Sequence, residues 1–129
     1  MGFFNKLSRL FDSHVETSER HPEETLQTHY YKTSKDKMMQ ALEELIAARQ
    51  DFSLLDISKE RGEMSVNVTG RKKGFLVITI VSVRPFRTSV DFSFTIERGL
   101  NLGYGQKLVR DLYERLNQKM PFVGYGMAD

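Results

Sequence analysis

The 129-residue sequence contains no cysteine, which excludes disulfides, thiolate metal sites and cysteine nucleophiles at once. No apolar run approaches the ~20 residues needed to span a bilayer. The most apolar stretch, residues 75–83, is only as long as a strand. The N-terminus has no uninterrupted apolar segment followed by a small-residue cleavage site, so no signal peptide is predicted. These absences favour a single cytoplasmic domain.

Recognisable catalytic motifs are also missing. There is no G-x-S-x-G elbow and no Walker pattern ending in Gly-Lys-Ser/Thr. His14, His21 and His29 lack the spacing of metal ligands on a helix. We therefore expect no metal and no cofactor, and we rank an enzyme below a binding protein. A Ser-His-Asp arrangement stays open, because triads assemble in space rather than along the chain.

The chain begins with an amphipathic segment, GFFNKLSRLF, which predicts a short helix over residues 1–12. Residues 13–25 are polar and acidic and predict a linker. A helix on a linker favours a non-enzymatic interaction module that docks on a protein partner, a sister subunit or a membrane surface. The predicted docking residues are Phe3, Phe4, Leu7, Leu10 and Phe11.

Residues 26–129 predict one α+β domain. Helical periodicity covers residues 33–50 and 106–119, and period-two alternation covers a first strand at 26–32 and four strands between residues 52 and 97. The order is β-α-β-β-β-β-α, which predicts a mainly antiparallel sheet of about five strands with the helices packed on one face. The segment FVGYGMAD predicts a loose tail. Residues 75–83 are apolar on both faces, so we expect partial cover on the second face.

Basic residues are concentrated in the second half of the chain. Residues 64–129 carry 10 Lys and Arg against 5 Asp and Glu, whereas residues 1–63 carry 9 against 12. This asymmetry is typical of a solvated basic face that keeps an exposed turn soluble. It also allows an alternative hypothesis of weak, sequence-independent anion binding in the region 71–87. Nucleic acid is the less favoured anion, because the fragment KGFLVITI has one aromatic where RNA-recognition modules use two or three. The candidate anion-binding residues are Arg71, Lys72, Lys73, Arg84, Arg87 and Arg98.

Three further features allow more than one interpretation. The glycines of GLNLGYG predict either a tight connection with positive φ angles or a phosphate-binding helix start. Asp91, on the polar face of the last strand, predicts a cross-strand ion pair with Arg84, Arg87 or Lys73. Six methionines are compatible with a carrier of a small apolar ligand in a pocket between sheet and helix, as well as with an ordinary core.

The segments HPEETLQTHYYKTSKDKMMQALEEL and VRPFRTSVDFSFTIE resemble a family of small cytosolic proteins from Gram-positive bacteria. The resemblance implies a cytoplasmic, single-domain bacterial protein. It assigns no activity and no functional residue, so the functional hypotheses depend on the residues themselves.

Overall fold

A computed structural model describes residues 13–126. This part of the chain contains seven strands, two α-helices and one turn of 3₁₀ helix, Glu24–Leu26. The helices are α1 (Lys35–Ala47) and α2 (Tyr104–Lys119). The strands are β1 (His14–Glu16), β2 (His29–Tyr31), β3 (Phe52–Ser58), β4 (Glu63–Val68), β5 (Gly74–Arg84), β6 (Arg87–Ile96) and β7 (Phe122–Tyr125).

The strands form one sheet in the order β3-β4-β5-β6-β2-β7, and β1 also pairs with β6. Every strand pair is antiparallel. The predicted α+β class and mainly antiparallel sheet are therefore confirmed. The predicted five-strand order is wrong, because β1 lies within the stretch interpreted as a linker and β7 lies within the expected loose tail. Both strands are too short to show periodicity.

Both helices cover the same face of the sheet. Ser34 begins α1 by accepting a hydrogen bond from the Lys37 amide at 3.2 Å. The core between sheet and helices includes the fully buried residues Met38 and Leu42 of α1, Leu112 and Leu116 of α2, and Met64, Val66, Leu76, Ile78, Val90, Phe92 and Phe94 of the strands. Hydrophobic burial on this one face therefore holds the layers together.

The opposite face of the sheet is open within residues 13–126. Phe75 and Val81, which point away from the helices, are 44% and 45% exposed. Val77 and Thr79, between them on the same face, are half-buried, so the expectation of partial cover over β5 stays a prediction. The five apolar residues of the predicted docking helix, and the helix itself, lie outside the described residues.

Strands β1 and β2 lie end to end along β6. The first pairs with Ser93–Thr95 and the second with Thr88–Val90. Between them, residues 17–28 leave the sheet and return, closed at the base by a bridge between Ser18 and Gln27. This excursion carries the 3₁₀ helix, which packs on α2. No helix within residues 13–126 is both long enough and apolar enough to cross a membrane.

Candidate anion-binding cleft

Two connections meet at one end of the sheet and bring basic residues together. The β4–β5 turn carries Arg71, Lys72 and Lys73, and the loop after β6 carries Arg98. They are neighbours because β5 begins opposite the end of β6, with Gly74 paired to Ile96. The Lys72 ammonium donates to the Leu100 carbonyl at 2.7 Å, and the Glu97 amide donates to the Lys73 carbonyl at 2.9 Å. Turn and loop therefore form one connected unit.

This unit borders two adjoining cavities, which we call the basic cleft. A cavity of about 470 Å³ is lined by Arg71, Lys72, Lys73, Glu97 and Arg98. A cavity of about 650 Å³ shares Arg71 and Lys72 and is also lined by Arg49, Asn101, Leu102, Gly103, Tyr104, Lys107, Leu108 and Asp111. Six basic and two acidic side chains thus face the cleft, which gives it a surplus of positive charge.

One of the six cations is already neutralised. Arg49 donates to both carboxylate oxygens of Asp51 at 3.1 Å and to Asp111 at 3.1 Å. These hydrogen bonds lower the pKa of Asp51 and raise that of Arg49. The guanidinium also lies 4.4 Å from the centre of the Phe52 ring. Arg49 therefore forms a structural wall of the cleft.

The other cations of the cleft have no acidic partner among the described residues. Lys72 is held by the Leu100 carbonyl, and the exposed side chains Arg71, Lys73, Arg98 and Lys107 project into solvent. Positive charges that share a concave surface focus a field that attracts anions. At physiological ionic strength the field extends over about 8 Å, so it acts on groups that enter the cleft.

The helix start beside the cleft contributes little free hydrogen-bonding capacity. The fully buried Asn101 accepts the amide of Tyr104 on its carbonyl at 2.9 Å and the amide of Gly105 on Oδ1 at 2.7 Å. The Lys107 amide donates to the Gly103 carbonyl at 3.0 Å. These bonds satisfy donors that a phosphate would otherwise take. Anion binding in the cleft therefore depends on side chains.

The glycines of this loop serve its backbone shape, as one of the two interpretations predicted. Gly99 and Gly103 have φ angles of 84° and 83°, in the left-handed region that favours glycine. Gly105 is buried inside α2 against Val15, where an added Cβ would lie 2.7 Å from a methyl carbon. The loop therefore needs glycine for its geometry, independently of any ligand.

The six candidate anion-binding residues divide into two groups. Four of them, Arg71, Lys72, Lys73 and Arg98, border the basic cleft. Arg84 and Arg87 lie at the far end of the 11-residue strand β5, about 33 Å away at the usual rise per residue. Lys107 is not among the six candidates but also lines the cleft, as the phosphate-binding interpretation of the glycine loop would place it.

A histidine, a serine and an acid meet on the open face of the sheet, but not as a triad. His14 contacts Thr95 Oγ1 through Nδ1 at 2.7 Å, and Glu16 and Ser93 both contact Nε2, at 3.1 and 3.4 Å. A relay requires the acid and the nucleophile on opposite ring nitrogens. This exposed cluster therefore lacks the geometry for activating Ser93.

Asp91 does not form the predicted ion pair. Its Oδ1 accepts the hydroxyls of Thr28 at 2.6 Å and Thr17 at 2.8 Å, which close the base of the excursion. Burial raises the pKa of Asp91, while these two hydroxyl bonds act in the opposite direction. The prediction failed because Thr17 comes from the stretch interpreted as a linker and Thr28 from the predicted first strand, and neither was expected to lie beside Asp91. Within residues 13–126, no group of three His, Cys, Asp or Glu residues could hold a metal ion.

His29 is a core residue of an aromatic cluster. Its ring stacks on Tyr113 with centroids 3.4 Å apart and planes inclined by 5°, and it also contacts Phe122 and Tyr125. Nδ1 lies 2.8 Å from the Gln27 carbonyl, so this nitrogen carries the proton of the neutral ring. Burial lowers the pKa of His29 to about 4. The imidazole is thus a neutral packing element near neutral pH.

No protein-family model matches this chain, and comparisons with characterised proteins and with solved structures found no similar protein. The resemblance to the Gram-positive family stays a prediction.

Proposed function

We propose that this protein is a non-enzymatic module that binds phosphate-bearing polyanions in the basic cleft. The observation that carries the proposal is the concave grouping of Arg71, Lys73, Arg98 and Lys107, whose charges have no acidic partner in the described chain. Such a grouping is electrostatically unfavourable in the free protein, and a bound polyanion relieves the repulsion.

The shape and charge of the cleft indicate the class of ligand. Its two cavities, of about 470 and 650 Å³, adjoin at Arg71 and Lys72 and have open, charged walls. Small-molecule sites are mostly apolar and bury most of their ligand. An open charged surface instead suits repeated phosphates that stay partly hydrated. The carrier hypothesis gains no support from Met38, Met39 and Met64, which are fully buried in the core.

The test is retention of the full chain on immobilised polyphosphate across a salt gradient. The cleft variant combines Arg71→Ser, Lys73→Ser and Arg98→Ser. This variant neutralises fewer phosphates and therefore releases fewer counterions from the polyphosphate when it binds. It should elute at clearly lower salt than the parent protein. The matched control combines Lys37→Ser, Lys59→Ser and Arg84→Ser, three exposed cations outside the cleft, and removes the same charge.

The control variant should elute close to the parent protein. Equal loss of retention in both variants would mean that net charge alone explains binding, and the proposal would be wrong. Because every substituted side chain is exposed and lacks an acidic partner in the described chain, both variants should keep the parental Tm. The hypothesis of a docking helix at residues 1–12 is independent of this test and stays a prediction.

A further inference from the structure

Two exposed leucines project from the loop that borders the basic cleft. Leu100 and Leu102 are 52% and 58% exposed. Leu102 has a φ angle of 49°, in the left-handed region that costs a side chain such as leucine free energy and that glycine or asparagine adopts more easily. A large apolar side chain is therefore displayed to solvent at a position where the fold alone would favour another residue.

The leucines and the cations form a single surface. Leu102 lines the larger cavity together with Arg71 and Lys107. The bond from Lys72 to the Leu100 carbonyl ties this loop to the basic turn at 2.7 Å. The loop therefore keeps the two leucine side chains beside the cations of the cleft. A ligand that contacts the cations also contacts the leucines.

This combination has the chemistry of a bilayer surface. Anionic headgroups attract lysine and arginine near the membrane, and exposed aliphatic side chains gain free energy when they enter the acyl boundary. We propose that this end of the domain binds the surface of an anionic phospholipid bilayer, with Leu100 and Leu102 inserted and the cleft cations on lipid phosphates. The inference rests on the proposed function, since it names the source of the phosphates.

Nucleic acid fits the same surface less well. Single-stranded binding relies on aromatic rings that stack on bases. Tyr104 is the only aromatic among the described residues that line the basic cleft. Its ring is half-buried and lies 6.0 Å from that of Phe94, so the cleft offers one partly covered ring where such sites stack successive bases on several. A leucine side chain cannot stack on a base, whereas it can be buried among the acyl chains of a lipid.

Ser13 lies at the same end of the domain as the basic cleft. The carbonyl of Ser13 accepts a hydrogen bond from the Ile96 amide at 2.8 Å, immediately before the loop that carries Leu100 and Leu102. Residues 1–12 precede Ser13 in the sequence. Their sequence predicts an amphipathic helix with three phenylalanines and two basic residues. Stable peripheral binding generally requires two such signals together.

The experiment measures co-sedimentation of the full chain with phosphatidylcholine vesicles, and with vesicles of equal parts phosphatidylserine and phosphatidylcholine. We expect binding to the anionic vesicles alone. The variant Leu100→Ser with Leu102→Ser should lose about tenfold in partitioning, because two half-exposed leucines no longer transfer to lipid. The matched control is Leu54→Ser with Leu55→Ser, which removes two exposed leucines from β3, and it should bind like the parent protein.

Retention on polyphosphate separates the two proposals. If the Leu100 and Leu102 variant loses vesicles but keeps polyphosphate, both proposals are supported. If the parent protein ignores anionic vesicles, or if this variant binds them fully, the bilayer proposal is wrong. Binding of single-stranded DNA without vesicle binding would assign the cleft to nucleic acid and overturn the bilayer proposal only. If the parent protein is not retained on polyphosphate at low salt, the proposed function is wrong as well.

Discussion

Protonation of the buried His29 should destabilise the folded protein below neutral pH. His29 is 2% exposed, its ring stacks on Tyr113, and none of its hydrogen-bond or ring partners within residues 13–126 is charged. Its pKa is about 4 in the folded chain, against 6.5 for the free side chain. Since one pKa unit corresponds to about 1.4 kcal/mol, the difference is worth about 3 kcal/mol of unfolding free energy.

Acid lowers the free energy of unfolding because the unfolded chain binds the proton more readily than the folded chain. Between about pH 6.5 and about pH 4, the unfolded chain holds a proton on His29 and the folded chain does not. The stability is therefore fully present above about pH 6.5 and falls as the pH is lowered toward 4. His29→Phe keeps the ring stack and His29→Gln keeps a donor for the Gln27 carbonyl, and both should remove this part of the pH dependence.

Urea unfolding followed by far-UV circular dichroism, at several pH values between about 7 and about 4, gives the required free energies. The difference between parent and variant should change by about 2–3 kcal/mol across this range, while carboxylates common to both proteins cancel. Ile46→Val, a mild truncation in α1, should cost about 1 kcal/mol equally at every pH. Parallel pH profiles for the parent and both His29 variants would refute the reasoning.

Three further predictions concern packing and strain. Gly74→Ala places a Cβ 2.5 Å from the Thr95 carbonyl oxygen and should lower the free energy of unfolding in urea by about 2–3 kcal/mol. Gly99→Ala has open space around it and should lower it by only about 1 kcal/mol, because of its φ of 84°. Equal losses would contradict the close approach at Gly74. Thr28→Val removes one of two hydroxyl donors to Asp91, so it should cost about 1–2 kcal/mol and raise the pKa of Asp91 further, as followed by carboxyl NMR; an unchanged or lower pKa would count against that hydrogen bond. Leu102→Gly should raise the free energy of unfolding by about 1 kcal/mol by relieving strain and should weaken vesicle binding severalfold; a destabilised variant would contradict the strained φ.

The central part of the fold could be predicted because its signals are long. Strands β4 and β6 alternate over six and ten residues, and β5 contains a continuous apolar run. Each helix repeats its apolar stripe over at least three turns. Strand β1 has one buried residue, Val15, between two exposed ones, and β7 has only four residues. Such strands are stabilised by the neighbour they pair with, so their own sequence carries little information.

The candidate site was predictable only in part for a related reason. The basic turn at residues 71–73 is visible in the sequence, but its proximity to Arg98 depends on the register that pairs Gly74 with Ile96. The separation of Arg84 from this turn could have been anticipated from the length of β5. The exposure of Leu102 could not have been anticipated, because a leucine in a glycine-rich segment is equally typical of a loop and of a core.

The end-to-end arrangement of β1 and β2 along β6 has a consequence for the order of folding. Strands β3 to β6 follow one another in sequence and pair with their immediate successors, so each contact closes only a short loop. His14 and Thr95, in contrast, are 81 residues apart along the chain. We therefore expect the meander to form first and β1 to join it late. The same strand should be among the first to detach in hydrogen exchange, which would briefly leave the edge of β6 at Ser93–Thr95 without its partner.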